Sequence, residues 1–253
     1  MAENMIHLIP SHHISLPDCF VFPPDQVPPA TTSAVVSLPI IDMSCSRDEV
    51  INHGISEQVM QDMMAVGEEF FRLPAADKVD FYSEDIHKTT RLFSGTTYET
   101  GGERYWRDCL RFAYDFPAGN STKDWPDKPQ KLREVVENFT LLTRGLAKEL
   151  LQLLCEGMRL PLDYFEGDLS GGYVTVDINH YPPCPNPSIT LGLPPHCDRD
   201  LMAILLPGRV PGLEVAYKGN WIKVEPVPHA FVVNFGQQLE VVTNGMLKSI
   251  EHL

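Results

Sequence analysis

The spacing of apolar residues changes near Gly171. Before this residue the spacing is helical, and after it short apolar runs are separated by turns, so the two halves of the chain are expected to fold differently. In the first half, apolar residues recur every three to four positions over residues 56–73 and 131–160, which predicts two helices. In the second half, runs rich in β-branched and aromatic residues alternate with turns that contain glycine or proline. Many short strands at this spacing are typical of a β-sandwich or barrel.

Local signals predict where these elements begin and end. Ser56 is a suitable N-cap for the first helix, and Pro74 ends it. The longer helix carries one apolar stripe, formed by Leu132, Val135, Phe139, Leu142, Leu146, Leu150 and Leu153. Short strands are predicted at residues 38–42, 173–181, 201–206, 213–217, 221–225, 231–235 and 239–243.

Composition excludes several classes of protein. The 253 residues carry 20 Lys and Arg against 34 Asp and Glu, a net charge of −14, which argues against nucleic acid as the main partner. Apolar residues make up 43% of the chain, enough for a real core. No apolar run is long enough for a membrane span, and no secretory signal is visible. The six cysteines are scattered without a CxxC pair, so we expect reduced thiols and a cytoplasmic protein.

The motif His196-Cys197-Asp198 is a candidate for part of a metal site. In an extended strand, residues i and i+2 point to the same side, so the imidazole of His196 and the carboxylate of Asp198 would converge. Two histidines and one carboxylate, with open positions opposite, form the ligand set of non-haem Fe(II) oxygenases. The motif alone leaves a second interpretation open, in which both side chains only bind backbone groups at a strand end.

The predicted strand 173–181 has one polar face. Strand alternation places Tyr173, Thr175, Asp177, Asn179 and Tyr181 on that face, and Val174, Val176, Ile178 and His180 on the other. A polar face inside a β half indicates a barrel mouth that binds a polar ligand. The alternative is a half-exposed strand whose polar face contacts water.

Motifs in a fixed order resemble those of the plant 2-oxoglutarate- and Fe(II)-dependent dioxygenases. The segment Asn179-His180-Tyr181-Pro182-Pro183-Cys184-Pro185 is similar to the family's N-x-Y-P-x-C-P motif, and Leu191-Gly192 and the H-x-D motif follow it. Further matches are Leu38-Pro39-Ile40-Ile41-Asp42, Ile51-Asn52-His53-Gly54-Ile55, Phe70-Phe71, Leu73-Pro74, Pro211-Gly212-Leu213, Gly219, Trp221-Ile222, Val232-Val233-Asn234-Phe235-Gly236 and Ser249-Ile250-Glu251-His252. The resemblance covers residues 37–253, and its finer features are similar to those of the hyoscyamine 6-hydroxylase group.

The resemblance implies a metal site, a co-substrate and a fold. It implies that His196, Asp198 and His252 bind Fe(II), with His252 54 positions after Asp198. It implies that Tyr181 and Asn179 bind 2-oxoglutarate, with O2 as the oxidant and ascorbate as the reductant. The implied fold is of the α+β class with a mainly β core, a double-stranded β-helix (a cupin-like jelly roll) braced by N-terminal helices.

The implied activity is that of an oxidoreductase. It would hydroxylate a small metabolite of plant secondary metabolism, or demethylate or desaturate it, with release of succinate and CO2. No catalytic residue is expected beyond the metal ligands, and we expect a monomer whose partner is the small-molecule substrate. The domains implied are a loose lead-in at 1–36, a largely helical region at 37–165 and the jelly-roll core at 171–253.

Two departures from the family pattern leave an alternative open. Asp48-Glu49-Val50 runs directly into Ile51-Asn52-His53-Gly54, so about one helix and most of a strand are absent. Leu253 stands where the family has an arginine, and the last strands and an Arg-x-Ser pair for the distal carboxylate of 2-oxoglutarate are missing. We therefore expect His252 to fray and 2-oxoglutarate to bind about 10–100-fold more weakly. The alternative is a truncated, catalytically inactive paralogue or partial gene product.

Overall fold

The computed structural model describes residues 16–23, 27, 38–39, 41–43, 50–95, 104–116 and 120–253. The chain divides into two compact units, each built from separated segments. The first unit comprises Met1–Pro29, Ala65–Glu137 and Tyr173–Pro194, and the second comprises Ala30–Met64, Asn138–Gly172 and Pro195–Leu253. The three-part division at 1–36, 37–165 and 171–253 therefore stays a prediction.

Both predicted long helices are confirmed. Helix α1 spans Glu57–Arg72 and helix α2 spans Leu132–Met158, each within two residues of its predicted ends. The Ser56 hydroxyl accepts a hydrogen bond from the Val59 amide at 3.4 Å, which satisfies one of the unpaired amides of the first turn of α1. A third, short helix, α3, spans Gln237–Val242.

The strands in chain order are β1 Ile41–Asp42, β2 Val50–Ile51, β3 Arg91–Ser94, β4 Asp108–Asp115, β5 Tyr173–His180, β6 Met202–Leu205, β7 Glu214–Tyr217, β8 Asn220–Lys223 and β9 Val232–Phe235. Five of the predicted strands correspond to β5–β9. Of the predicted strand 38–42, the part described as a strand is β1, and residue 40 lies outside the described residues.

The first unit contains an antiparallel sheet in the order β3-β4-β5. One face of it packs on α1, where Ile178 approaches Gly67 so closely that an added Cβ would lie 3.0 Å from Ile178 Cγ2. The Phe71 ring also stacks on His180, with centroids 4.7 Å apart. The side chains of β5 alternate as predicted, with Asp177 and Asn179 exposed on the opposite face.

The second unit has its own core and short antiparallel pairs. β6 pairs with β9 and β7 with β8, while β1 and β2 form a short parallel pair. Its core is a cluster of buried side chains from α2, α3 and the segments between: Leu151, Cys155, Phe165, Leu201 and Leu239.

The predicted strand at 239–243 is wrong, because these residues form α3 and the turn that follows it. Leu239 is fully buried in the core of the second unit, whereas Val241 is 76% exposed. In a strand, these two side chains would lie on the same face. A helical turn lets Leu239 pack inward while its carbonyl accepts from the Thr243 amide at 3.0 Å.

The predicted apolar stripe of α2 is also partly wrong. Leu142 and Leu153 are 38% and 46% exposed, whereas Val136 and Cys155 are fully buried. The buried face shifts along the helix because its C-terminal half packs Leu151 and Cys155 into the core of the second unit. Apolar character alone did not reveal this shift.

Two further predictions concern the membrane and the cysteines. Among the described helices, none is long and apolar enough to cross a membrane. The five cysteines that the structure describes are all free thiols, as predicted.

Candidate active site

Three of the predicted site residues converge in the second unit. His196, Asp198 and His252 each offer one ligand atom, and these atoms all lie within 4.8 Å of one another. Asp198 Oδ1 is 3.8 Å from His196 Nε2 and 3.7 Å from His252 Nε2. The two imidazole centroids are 4.3 Å apart. Residues 54 positions apart in the sequence therefore form one compact donor set.

Backbone pairing brings the two histidines together. The amides of His196 and His252 each donate to the other's carbonyl oxygen at 2.9 Å. On its other side, the same segment pairs with β7, where Glu214 and Leu253 exchange two hydrogen bonds of 2.9 Å. The expected fraying of His252 is wrong, because its residue is only 7% exposed and its segment is paired on both sides.

Hydrogen bonds to neighbouring groups determine which atoms of these side chains could bind a metal. His252 Nδ1 donates to the Ile250 carbonyl at 3.0 Å, which leaves Nε2 unprotonated and available to a metal. Asn234 Nδ2 donates to Asp198 Oδ2 at 3.2 Å, so Oδ1 is the oxygen that faces both Nε2 atoms. Partners of this kind orient metal ligands in proteins. The role of Asn234 was missed from the sequence, although its motif was recognised.

A tight backbone turn holds the loop that carries Asp198. The Gln237 amide donates to the Asp198 carbonyl at 2.7 Å, and the Gly236 amide donates to the Leu201 carbonyl at 3.0 Å. A Cβ on Gly236 would overlap the Asp200 carbonyl oxygen. Glycine is therefore required at this position by close approach of two backbone segments.

The predicted co-substrate residues Asn179 and Tyr181 lie in the first unit, at the end of β5. Both are exposed on the polar face of the sheet, Tyr181 by 51%. Arg107, which sequence reasoning missed, donates from Nη1 to Asn179 Oδ1 at 3.2 Å. Burial raises the pKa of the Tyr181 hydroxyl, and the charge and hydrogen bond of Arg107 oppose that rise. The hydroxyl therefore stays protonated at neutral pH.

Gly192 explains the leucine–glycine pair that follows the N-x-Y motif. A Cβ at this position would lie 2.9 Å from Cε1 and 3.0 Å from Cδ1 of the Tyr181 ring. Those distances are shorter than normal van der Waals contact, so a side chain here would displace the ring. The glycine therefore lets Tyr181 lie against the backbone.

The donor set of the second unit fits Fe(II). Two neutral imidazoles and one carboxylate are the ligands of a facial triad, whereas thiolates favour copper(I) or zinc and all-oxygen sets favour magnesium or calcium. Two of the three side chains remain partly exposed, His196 by 27% and Asp198 by 23%. Small molecules can reach the metal-facing atoms from that side.

Comparisons with known proteins agree with this chemistry. A model of the 2OG-Fe(II) oxygenase superfamily matches residues 174–253, and one of the N-terminal region of non-haem dioxygenases in morphine synthesis matches residues 49–134. The 2'-deoxymugineic-acid 2'-dioxygenase of Hordeum vulgare is 63% identical over 99% of this chain and 78% of its own length. The mugineic-acid 3-dioxygenase of the same plant is 59% identical over 100% and 78%.

Two other comparisons bear on the finer resemblance and on the fold. Hyoscyamine 6-dioxygenase of Hyoscyamus niger is 37% identical over 81% of this chain and 62% of its own length, less than the two Hordeum enzymes. The crystal structure of JOX2 in complex with 2OG, Fe and JA matches with a TM-score of 0.82 and 29% identity, over 96% of this chain and 75% of that chain. The chain therefore belongs to the plant 2OG-Fe(II) oxygenases, oxidoreductases that use Fe(II), 2-oxoglutarate and O2, typically with ascorbate.

Proposed function

We propose that this dioxygenase hydroxylates a small carboxylic acid of the mugineic-acid type, with Fe(II) bound by His196, Asp198 and His252. The convergence of these three donor atoms within 4.8 Å carries the proposal for the metal site. Identities of 63% and 59% to two enzymes named for mugineic-acid substrates support the substrate class.

The chain's own residues would prepare the metal site in three ways. The carbonyl of Ile250 keeps the proton of His252 on Nδ1, so that Nε2 is the ligand atom. The amide of Asn234 holds Asp198 Oδ2, so that Oδ1 is the ligand atom. When bound there, Fe(II) supplies the oxidising chemistry that inserts one oxygen atom of O2 into a C–H bond, while 2-oxoglutarate becomes succinate and CO2.

Asn179 and Tyr181 are proposed to bind 2-oxoglutarate. Both lie at the end of β5 on its polar face, where they would provide an amide and a hydroxyl to the oxygens of the co-substrate. The raised pKa of Tyr181 keeps its hydroxyl a donor at neutral pH. The barrel-mouth interpretation of this face is thus preferred over a face that only contacts water.

The finer fold assignment is also a proposal. A double-stranded β-helix would account for the antiparallel pairs β6–β9 and β7–β8 and for the bridges that His252 makes with His196 and Val215. The core would extend over residues 171–253, with residues 37–165 bracing it and residues 1–36 leading into it. A cytoplasmic monomer with no nucleic-acid partner completes the proposal.

A product analysis tests the proposed activity. The protein, with Fe(II), ascorbate, 2-oxoglutarate and O2, would be incubated separately with 2'-deoxymugineic acid and mugineic acid. We expect a product with one added oxygen atom, and one succinate for each product formed. Succinate formation without an oxygenated product from either acid would refute the substrate class while leaving the metal site intact.

The matched variants are Asp198→Ala and Asp177→Ala. Both remove a partly exposed carboxylate, but only Asp198 lies among the donor atoms. We expect Asp198→Ala to abolish both succinate and product and Asp177→Ala to retain succinate formation. Full turnover in Asp198→Ala would overturn the metal assignment.

A further inference from the structure

The polar face of the sheet β3-β4-β5 carries a cluster of arginines. The Cζ atoms of Arg91, Arg107 and Arg111 lie 4.0, 5.9 and 5.6 Å from the centroid of the Phe93 ring. Arg91 stands directly opposite Arg111 in the antiparallel register, a like-charge pair that disfavours the sheet by itself. In a chain of net charge −14, positive charge is thus concentrated on this face of the sheet.

Arg111 and Arg107 differ in how their charges are neutralised. Arg111 binds Asp177 across the strands with two parallel hydrogen bonds, from Nε to Oδ1 at 2.7 Å and from Nη2 to Oδ2 at 2.6 Å. Arg107 is 6% exposed, and in the described part of the chain its side chain forms no ion pair. Its side chain donates to Asn179 Oδ1 at 3.2 Å and lies close enough to the hydroxyl of Tyr181 to affect its pKa, and both of these groups are neutral.

The position of Arg107 determines which hydrogen bonds the side chains of Asn179 and Tyr181 can still form with a ligand. A guanidinium only donates hydrogen bonds, so Asn179 must accept through Oδ1 and Tyr181 must accept through its hydroxyl oxygen. The Asn179 NH2 group, which donates to no acceptor among the described residues, and the Tyr181 O–H are then left as donors. Asn179 is exposed, so its NH2 group is accessible to a ligand.

We propose that Arg107 is a positioning residue that makes Asn179 and Tyr181 paired hydrogen-bond donors for the carboxylate or keto oxygens of 2-oxoglutarate. This inference rests on the proposed role of Asn179 and Tyr181 in binding that co-substrate. Arg107 itself stays behind the two residues and does not need to touch the ligand.

A first experiment tests the orientation without any ligand. The protein would be labelled with ¹⁵N-asparagine, and the Asn179 side-chain NH2 signal identified by its loss in Asn179→Asp. We expect Arg107→Met to shift or broaden this signal, because the amide loses its fixed acceptor contact. The control Arg111→Met removes another arginine that contacts the Phe93 ring and should leave the signal unchanged. An unchanged Asn179 signal in folded Arg107→Met would overturn the inference, whether or not the protein binds 2-oxoglutarate.

A second experiment measures 2-oxoglutarate binding to the anaerobic Fe(II) protein. We expect Arg107→Met to raise the dissociation constant about 10–100-fold, since hydrogen bonds to a charged ligand are lost or misdirected. Arg107→Lys, which keeps the charge but not the fork of donors, should be intermediate, and Arg111→Met should stay within about twofold. In the Asn179→Ala/Tyr181→Phe variant, Arg107→Met should raise the dissociation constant for 2-oxoglutarate by less than about threefold.

The outcomes separate the inference from the function on which it rests. If Arg107→Met weakened 2-oxoglutarate binding as much in the Asn179→Ala/Tyr181→Phe variant as in the unmodified protein, Arg107 would act independently of Asn179 and Tyr181. That result would overturn the inference. A raised KM for the substrate with an unchanged dissociation constant for 2-oxoglutarate would assign the donors to a carboxylate of the substrate instead and would also overturn it. Absence of 2-oxoglutarate binding in the unmodified protein would refute the proposed function, and the amide signal would still decide the role of Arg107.

Discussion

At the residue scale, the orientation of two of the three proposed iron ligands depends on one neighbouring polar group each. Asn234 holds Asp198 through Oδ2, and the Ile250 carbonyl holds His252 through Nδ1. These contacts leave one oxygen and one nitrogen free to bind the metal. Because these two side chains are already held in place, metal binding costs less of their conformational entropy.

The first prediction concerns Asn234. Replacing it with alanine removes the hydrogen bond to Asp198 Oδ2 and leaves the carboxylate free to rotate. We expect Asn234→Ala to weaken Fe(II) binding about 10–100-fold, measured by anaerobic calorimetry. The control Asn220→Ala removes an amide that binds only the Lys218 carbonyl in the β7–β8 turn, and it should leave affinity unchanged. Equal affinities for both variants would contradict the orienting role.

The second prediction concerns Gly192. A methyl group there would displace the Tyr181 ring, whose nearest carbon lies 2.9 Å from the position of that Cβ. We expect Gly192→Ala to weaken 2-oxoglutarate binding about tenfold or more, because the hydroxyl of Tyr181 moves out of place. Gly208→Ala is the control, since a Cβ there meets no atom within 4 Å. Tight 2-oxoglutarate binding by Gly192→Ala would remove Tyr181 from the co-substrate site.

At the element scale, α3 distinguishes the structure from the sequence pattern. Its position after Gly236 lets Leu239 fill the core of the second unit while Val241 faces water. A strand would have placed both side chains on one face. The stability of variants at these two positions therefore reports which element forms.

The third prediction uses that contrast. Leu239→Ala removes a side chain of 0% exposure and should lower the free energy of unfolding by about 2–5 kcal/mol. Val241→Ala, at 76% exposure, should change it by less than about 0.5 kcal/mol. Urea denaturation of both variants measures the two values. Similar losses at both positions would favour the strand.

Elements with a strong local signal could be predicted from the sequence. The helical period of α1 and the alternation of β5 each persist over several turns or residues, so local pattern alone determined them. The residues of α3 have no such signal, because apolar positions 239, 241 and 242 fit a helix or a strand. Their conformation depends on the close approach of Gly236 to the Asp200 backbone, which is a tertiary contact.

In the candidate site, contacts between sequence neighbours could likewise be predicted, whereas contacts between residues far apart in the sequence could not. The H-x-D motif predicted that the side chains of His196 and Asp198 lie close together because they are near neighbours in the sequence, and their donor atoms are 3.8 Å apart. Arg107 and Asn234 were not found because their partners lie 72 and 36 positions away. The paired environment of His252 was also unpredictable, since it depends on hydrogen bonds to His196 and to β7.

At the scale of the whole molecule, the proposed metal site links distant parts of the second unit. His252 pairs with the segments of both His196 and Val215, so a bound ion would tie three stretches of chain together. A ligand that binds the folded state stabilises it by an amount set by its concentration relative to the dissociation constant.

The fourth prediction follows from this linkage. At a free Fe(II) concentration of 100 times the dissociation constant, the free energy of unfolding should rise by about 2.7 kcal/mol. The melting temperature, measured anaerobically, should therefore increase in the unmodified protein and not in His196→Ala. An equal increase in the variant would show that Fe(II) binds elsewhere.

The most direct test of the central claim is an anaerobic titration of the protein with Fe(II) and 2-oxoglutarate, followed in the visible range. Chelation of the keto acid to a facial-triad iron gives a charge-transfer band. We predict a saturable band in the unmodified protein and in His229→Ala, whose histidine is 59% exposed and lies outside the triad, and no band in His252→Ala. A folded protein without the band, or a band that persists in His252→Ala, would contradict the assignment of His196, Asp198 and His252 as the iron site.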